Sequence, residues 1–157
     1  MNHLPLQASD ELQKKLRKIS KPLRLAKSSV LFEQGEMSRG VFLIESGSVA
    51  LMLKRASGGT VHERILGKGS VLGLPATVNH TTYSLTAEAL GDVDLFFVPS
   101  QDLIEAMVRN VYLAVEILKV LSDEVHGMRE VIRAWGRPGG SARKMPKDRK
   151  RGSYLVK

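Results

Sequence analysis

Short apolar segments separated by turn residues fill the middle of the chain. Between residues 30 and 98, glycine-containing turns interrupt the apolar positions every few residues. Many short strands joined by such turns are typical of an antiparallel sandwich or barrel. The pattern therefore predicts a mainly β domain with strands at residues 30–32, 41–44, 49–53, 61–66, 83–90 and 93–98.

The segment 83–89 alternates strictly between apolar and polar positions. Tyr83, Leu85, Ala87 and Ala89 would share one face, because the residues between them are all polar. A period of two is typical of a strand with one face in the core. We therefore expect the ring of Tyr83 to point inward.

Helical periodicity flanks the β region on both sides. Two leucines and an isoleucine, spaced by four and three residues, predict a helix over 9–19 that Ser9 or Asp10 caps. From residue 100 to 135 the pattern is helical again, and Asn110 divides it into a shorter and a longer helix.

The longer of these two helices, residues 111–135, carries apolar residues spaced alternately three and four apart. Such heptad spacing is typical of a coiled-coil seam and predicts a homodimer. A helix lying on its own barrel would also carry an apolar stripe, so both arrangements stay open. The predicted dimer contacts are Leu118, Leu121, Val125, Met128 and Ile132.

The net charge of +8 is confined to one end of the chain. Residues 1–132 carry 15 basic and 15 acidic side chains, whereas residues 133–157 carry nine basic and one acidic. Residues 136–157 are also rich in glycine and proline, which predicts a disordered basic tail. Such a tail could bind phosphate backbones without sequence preference, be solvated without a partner, or reflect a truncation or frameshift.

The amino-acid composition excludes several classes of function for this chain. The chain has no cysteine, which excludes disulfides, thiolate metal sites and thiol catalysis. No apolar run approaches the roughly 18 residues of a membrane span, and residues 1–13 do not resemble a secretion signal. We therefore expect a cytoplasmic protein that does not bind membranes. The four histidines show no metal-ligand spacing, so neither a metal nor a cofactor is predicted.

Five segments of the chain resemble the cyclic nucleotide-binding domain family, in the form found in Crp/Fnr-type bacterial regulators. The first two segments are similar to the family's opening strands. The third is similar to a later strand and to the glycine that enters the phosphate-binding segment, and the last two are similar to the closing strands. The resemblance covers roughly residues 12–135. The segments are VLFEQGE (30–36), VFLIESGSV (41–49), LGKGSVLG (66–73), TAEAL (86–90) and LFFVP (95–99).

The resemblance implies a double-stranded β-helix (jelly-roll) barrel with an N-terminal helix and a long C-terminal dimerisation helix. Residues 1–135 would form a sensor domain that includes the seam helix 111–135, and the protein would be a regulator rather than an enzyme. Regulators of this type continue from the seam helix into a DNA-binding winged helix. Here 22 residues without an apolar helical pattern follow Trp135, so we do not expect sequence-specific DNA binding by this chain.

The resemblance breaks down at the ligand segment. Family members that bind cyclic nucleotides hold the ribose with a Gly-Glu-Leu motif and the phosphate with an Arg-Ser-Ala motif. Here Leu74 stands at the glutamate position and Tyr83 at the arginine position. Since charged hydrogen bonds contribute about 1.5–3 kcal/mol each, the affinity for cyclic AMP should fall by about a hundredfold or more. The ligand-binding residues implied by the resemblance are Gly73, Leu74, Pro75, Ala76, Thr82, Tyr83 and Ser84.

Three interpretations of this segment stay open: a different small-molecule ligand, no ligand, or a cyclic nucleotide bound unconventionally. The sequence thus predicts a ligand-sensing regulatory domain with a small-molecule effector, nucleotides included. The alternative is a stand-alone interaction module that binds a partner, or nucleic acid non-specifically, through its seam helix or basic tail. A cupin-type metalloenzyme would need clustered ligands, and the β region offers only His62 and His80.

Overall fold

The computed structural model describes residues 6–135, with the side chains of all of these except residues 62 and 124–135. Within that range the helices are α1 (Asp10–Lys18), α2 (Leu74–Asn79), α3 (Ser100–Arg109) and α4 (Val111–Trp135). The strands are β1 (Lys21–Leu25), β2 (Val30–Phe32), β3 (Gly40–Ser46), β4 (Val49–Lys54), β5 (Thr60–Leu66), β6 (Val71–Leu72), β7 (Thr86–Ala89) and β8 (Val93–Pro99).

The strands form two four-stranded antiparallel sheets that face each other. Their orders are β1-β8-β3-β6 and β2-β7-β4-β5. The predicted mainly β jelly roll is confirmed. No hydrogen-bonded strand pair joins the two sheets within residues 6–135, so they form a sandwich rather than a closed barrel.

β3 is buried on both faces, which explains its uninterrupted apolar sequence. Phe42 and Ile44 point into an inner core between the two sheets, whereas Val41 and Leu43 point into an outer core. The outer core lies between the first sheet and the helices α1, α3 and α4. Because successive strand residues face opposite sides, only apolar residues suit a strand that is covered twice.

Two strands, β1 and β6, are missing from the set of strands that the apolar pattern predicts. β1 carries charged Lys21 and Arg24 beside Pro22, a composition that reads as a turn. It lies at the edge of its sheet and pairs with β8, and at a sheet edge the missing N–H of proline is tolerated. β6 has only two residues, which is too short for any alternation to be visible.

The helix boundaries follow the predicted capping residues. Ser9 caps α1 and accepts a hydrogen bond from the N–H of Leu12 at 3.1 Å. Asn110 leaves helical geometry between α3 and α4, and its side-chain oxygen accepts from the N–H of Leu113 at 3.2 Å. None of the helices between residues 6 and 135 combines the length and the apolar character needed to cross a membrane.

The first half of α4 carries two apolar stripes on opposite sides. Leu113, Ile117 and Val120 are buried in the outer core, so the helix does lie on its own jelly roll. A second stripe is exposed to solvent, which leaves it available for a partner. Its members are Val111, Tyr112, Val115 and Leu118. Of the predicted seam residues, Leu118 is exposed and Leu121 half-buried, while the side chains of Val125, Met128 and Ile132 lie outside the described set.

Candidate ligand-binding site

The predicted ligand segment begins at Gly73, the residue before α2. Gly73 has φ +81°, a left-handed conformation that glycine adopts without strain. A Cβ at this position would also lie 2.8 Å from the ring of Tyr83, so only glycine fits here. Pro75 lies in the first turn of α2, where its missing N–H costs little.

The side chain of Tyr83 is held by a ring contact and by three hydrogen bonds. Its ring is 2% exposed and stacks on Phe32 with ring centroids 3.9 Å apart. Its hydroxyl donates to the carbonyl oxygen of Gly40 at 2.9 Å and accepts from the N–H groups of Arg39 at 3.0 Å and Gly40 at 3.3 Å. The inward orientation predicted from alternation is confirmed, and the phenol joins the ligand segment to the start of β3.

The residues after Tyr83 follow the predicted alternation with one exception. Ala87 and Ala89 are buried and Leu85 half-buried, although the regular strand β7 begins only at Thr86. Thr86 was expected on the polar, outward face but is buried. Its hydroxyl accepts a hydrogen bond from the N–H of Gln34 at 3.1 Å, which satisfies the polar group in the interior.

Burial raises the pKa of the Tyr83 hydroxyl above its ordinary value, and hydrogen bonds from the backbone N–H groups of Arg39 and Gly40 oppose this only in part. The unfolded chain therefore loses this proton at lower pH than the folded chain does. Consequently the unfolding free energy should decrease as the pH rises above about 10, towards the folded-state pKa. Tyr83→Phe should flatten this decrease in denaturant titrations. An unchanged slope in the variant would contradict this placement of the phenol.

A cavity of about 40 Å³ remains between Tyr83, α2 and the second sheet. It has room for roughly three water molecules, whereas ligand pockets usually measure about 300–1,000 Å³. All nine lining residues are uncharged. They are Leu6, Phe32, Leu51, Gly73, Pro75, Ala76, Tyr83, Ser84 and Leu85.

Sequence comparison then identifies the domain. Residues 22–110 match the profile of the family described as the cyclic nucleotide-binding domain, and this stretch is more than half of the chain. The chain belongs to that family.

The relatives of this cyclic nucleotide-binding domain are regulators. An anaerobic regulatory protein of Bacillus subtilis (strain 168) is 26% identical over 140 residues, which covers 85% of this chain and 59% of the relative. The catabolite activator protein of Thermus thermophilus superposes with a TM-score of 0.72 at 18% identity, over 85% of this chain and 61% of that one. The chain therefore spans about three-fifths of the length of these two relatives.

This chain also resembles a solved structure that consists of a sensor domain alone. The sensor domain of the transcriptional regulator DNR from Pseudomonas aeruginosa superposes with a TM-score of 0.63 at 21% identity, over 78% of this chain and 82% of that domain. At such identities the likeness establishes the fold. This chain therefore shares its fold with that sensor domain, which belongs to a transcriptional regulator.

The structure brings most of the predicted ligand residues together. Gly73, Pro75, Ala76, Tyr83 and Ser84 all line the cavity, although their role in ligand binding stays a prediction. Leu74 and Thr82 do not line it. Leu74 is buried in the outer core, and Thr82 forms an isolated β-bridge with Met37.

Four lining residues were absent from the sequence-based site: Leu6, Phe32, Leu51 and Leu85. Phe32 and Leu51 belong to strands that were predicted, but nothing in the pattern indicates which strand faces the ligand segment. Leu6 precedes every predicted element, so no periodicity could reveal it. Long-range packing decides the positions of Leu6, Phe32 and Leu51, whereas the alternation of residues 83–89 already places Leu85 on the same face as Tyr83.

A larger groove of about 370 Å³ lies elsewhere, along the outer edge formed by β1 and β8. Its charged side chains are paired, with Arg24 and Asp94 3.7 Å apart and Glu45 3.1 Å from Arg17. It shares no lining residue with the cavity beside Tyr83, so we regard it as a salt-bridged surface. Among the side chains that the structure describes, no group of three or more histidine and acidic residues could hold a metal ion.

Proposed function

We propose that this chain is the ligand-sensing domain of a Crp/Fnr-type regulator whose site does not bind cyclic AMP with high affinity. The observation that carries the proposal is the side chain of Tyr83. The resemblance places it at the position of the phosphate-binding arginine, and its ring and hydroxyl both contact other protein groups.

The size and charge of the site support this proposal. The cavity of about 40 Å³ is far smaller than a nucleotide, and none of its nine lining residues could neutralise a phosphate. Transfer of a phosphate into such a site without a countercharge costs several kcal/mol. The other motif position offers no compensation, because Leu74 lies in the outer core instead of facing the cavity.

The site is connected to α4 in a way that suits signal relay. Leu74, directly after the cavity-lining Gly73, belongs to the same outer core as Leu113 and Ile117 of α4. In the proposed mechanism, occupancy of the segment 73–85 repositions α2 and thereby α4. Two ligand-dependent states are required for such a relay.

Thermal unfolding in the presence of nucleotides tests the ligand specificity. A ligand at a hundred times its dissociation constant adds about 2.7 kcal/mol of stability, which raises the melting temperature by several degrees. We expect no such shift with cyclic AMP, cyclic GMP or a cyclic dinucleotide at millimolar concentration. A shift of several degrees with any of them would contradict the proposal.

We further propose that the protein is a homodimer through α4. The exposed stripe on α4, from Val111 to Leu118, supports this, because it lies opposite the stripe that packs on the jelly roll. Contiguous exposed apolar side chains usually mark an interaction surface. The heptad spacing of residues 111–135 suits a second copy of the same helix.

Leu118→Glu should dissociate this dimer. Symmetry would place two unpaired carboxylates in one interface, so the dimer dissociation constant should rise by about a hundredfold or more. Ile65→Glu is the matched control, since Ile65 on β5 is 58% exposed and Leu118 60%. Light scattering should report a micromolar dimer for wild type and Ile65→Glu and a monomer for Leu118→Glu. A monomeric wild type would contradict the dimer.

A second candidate function is a stand-alone interaction module, and the same exposed stripe favours it if the wild type proves monomeric. The stripe would then bind a different protein. The predicted basic tail, residues 136–157, lies outside the described residues, and its binding to phosphate backbones stays a prediction.

A further inference from the structure

Leu6 belongs to no strand or helix, yet its side chain lines the candidate site. Its side chain is 3% exposed and lies in the inner core, where it lines the cavity beside Ala76 and Tyr83. Its backbone has φ +80°, a left-handed conformation that is strained for a leucine. A buried apolar side chain is thus held in an unfavourable backbone conformation.

The backbone of the segment that carries Leu6 is paired with residues 69–71 at one isolated bridge, and the side-chain amide of Gln7 donates to the carbonyl oxygen of Lys68 at 3.3 Å. The N–H of Val71 donates to the carbonyl oxygen of Leu6 at 2.8 Å, and the N–H of Ala8 donates to the carbonyl oxygen of Gly69 at 2.9 Å. These bonds belong to an isolated bridge between Gln7 and Ser70, not to a continuous ladder. Isolated bridges open more readily than ladders do.

The other large side chains around the cavity are held more firmly. Tyr83 has three hydrogen bonds on its hydroxyl, and Phe32 lies in β2 and stacks on the Tyr83 ring. Leu51 belongs to β4, which pairs on both edges with β5 and β7. The backbone of Leu6 is therefore held by weaker strand pairing than the backbones of Phe32 and Leu51.

If Leu6 left the cavity, the remaining lining residues would determine which ligand could take its place. They are the other eight lining residues: Phe32, Leu51, Gly73, Pro75, Ala76, Tyr83, Ser84 and Leu85. None carries a charge, and the Tyr83 hydroxyl is already bonded to the backbone. Removal of the leucine side chain would enlarge the 40 Å³ cavity towards the size of apolar cavities, about 150 Å³, that bind a single benzene ring.

We propose that Leu6 is a displaceable plug, and that this site takes an uncharged apolar molecule about the size of one aromatic ring. The inference rests on the proposed function, in which the site is an effector site that cyclic nucleotides do not use. Displacement would also disturb α4, because the segment continues into Ser9, whose hydroxyl donates to Glu116 of α4 at 3.2 Å.

Toluene and benzoate form a matched pair of probes, since they differ mainly in charge. Nuclear magnetic resonance titrations of the full chain should show saturable toluene binding and no benzoate binding. Leu6→Ala and Leu6→Gly should bind toluene about tenfold tighter or more, because the competing occupant is gone. Leu90→Ala is the control, a half-exposed leucine outside the site, and should match wild type.

Hydrogen exchange on the wild-type chain tests the plug without any variant. Saturating toluene should speed exchange of the Val71 amide, which donates to Leu6, by about tenfold or more, and leave the β3–β8 ladder unchanged. Equal toluene affinity in wild type and Leu6→Ala, equal binding of benzoate, or an unchanged Val71 rate would overturn the inference. Each of these outcomes leaves the proposed function intact, which only tight binding of a cyclic nucleotide contradicts.

Discussion

Gly40→Ala should be the most destabilising single substitution in this domain. Gly40 begins β3, opposite Pro99 of β8. An added Cβ would overlap the carbonyl oxygen of Val98 and approach the Phe97 ring to 2.8 Å. The overlapping group is backbone inside the central β3–β8 ladder, so it cannot move without loss of strand hydrogen bonds. We expect a loss of about 4 kcal/mol or more, at the extreme of single substitutions.

Chemical denaturation of Gly40→Ala against Gly91→Ala provides the measurement. A Cβ at Gly91 would meet no atom within 4 Å, and the residue does not require a left-handed backbone. Gly91→Ala should therefore change the unfolding free energy by less than about 0.5 kcal/mol. If both variants had similar stabilities, the close approach of β3 and β8 would be wrong.

Tyr83→Ala should have the second largest effect. It removes the stacked ring from the inner core, a change that costs about 3–5 kcal/mol for large aromatic residues. It also leaves the carbonyl oxygen of Gly40 and the N–H of Arg39 without the hydroxyl that now satisfies them. The total loss should reach about 4 kcal/mol or more.

Tyr83→Phe separates the two contributions. The ring stays stacked on Phe32, and only the hydroxyl is lost, which should cost about 1–3 kcal/mol. Denaturant midpoints of the two variants should therefore differ clearly. A Tyr83→Ala variant as stable as wild type would show that the ring is not part of the core.

The sequence allows the sandwich to be predicted because its strands are short, apolar and separated by glycine turns. Burial of Tyr83 also follows from local alternation. The two faces of α4 could not both be predicted, since the heptad pattern suggests one seam, whereas Leu113, Ile117 and Val120 form a second stripe. Pattern alone does not say which stripe meets the jelly roll and which meets a partner.

The candidate site is predictable only where family motifs mark it. Gly73 and Tyr83 were found because they occupy motif positions. Leu74 occupies one as well, yet α2 turns its side chain into the outer core. Leu6 and Leu51 reach the cavity through contacts between residues distant in sequence, and no periodicity encodes such contacts. That Leu6 and Tyr83 together fill most of the site could therefore not be predicted from the sequence.

A nuclear magnetic resonance titration of the wild-type chain with cyclic AMP tests the central claim most directly, because it detects weak binding and locates it. Gly73, Tyr83 and Ser84 line the cavity, so their amide resonances report on its occupancy. We predict that their resonances stay unchanged up to millimolar cyclic AMP. Saturable shifts of these three amides at micromolar concentration would contradict a site closed to cyclic nucleotides.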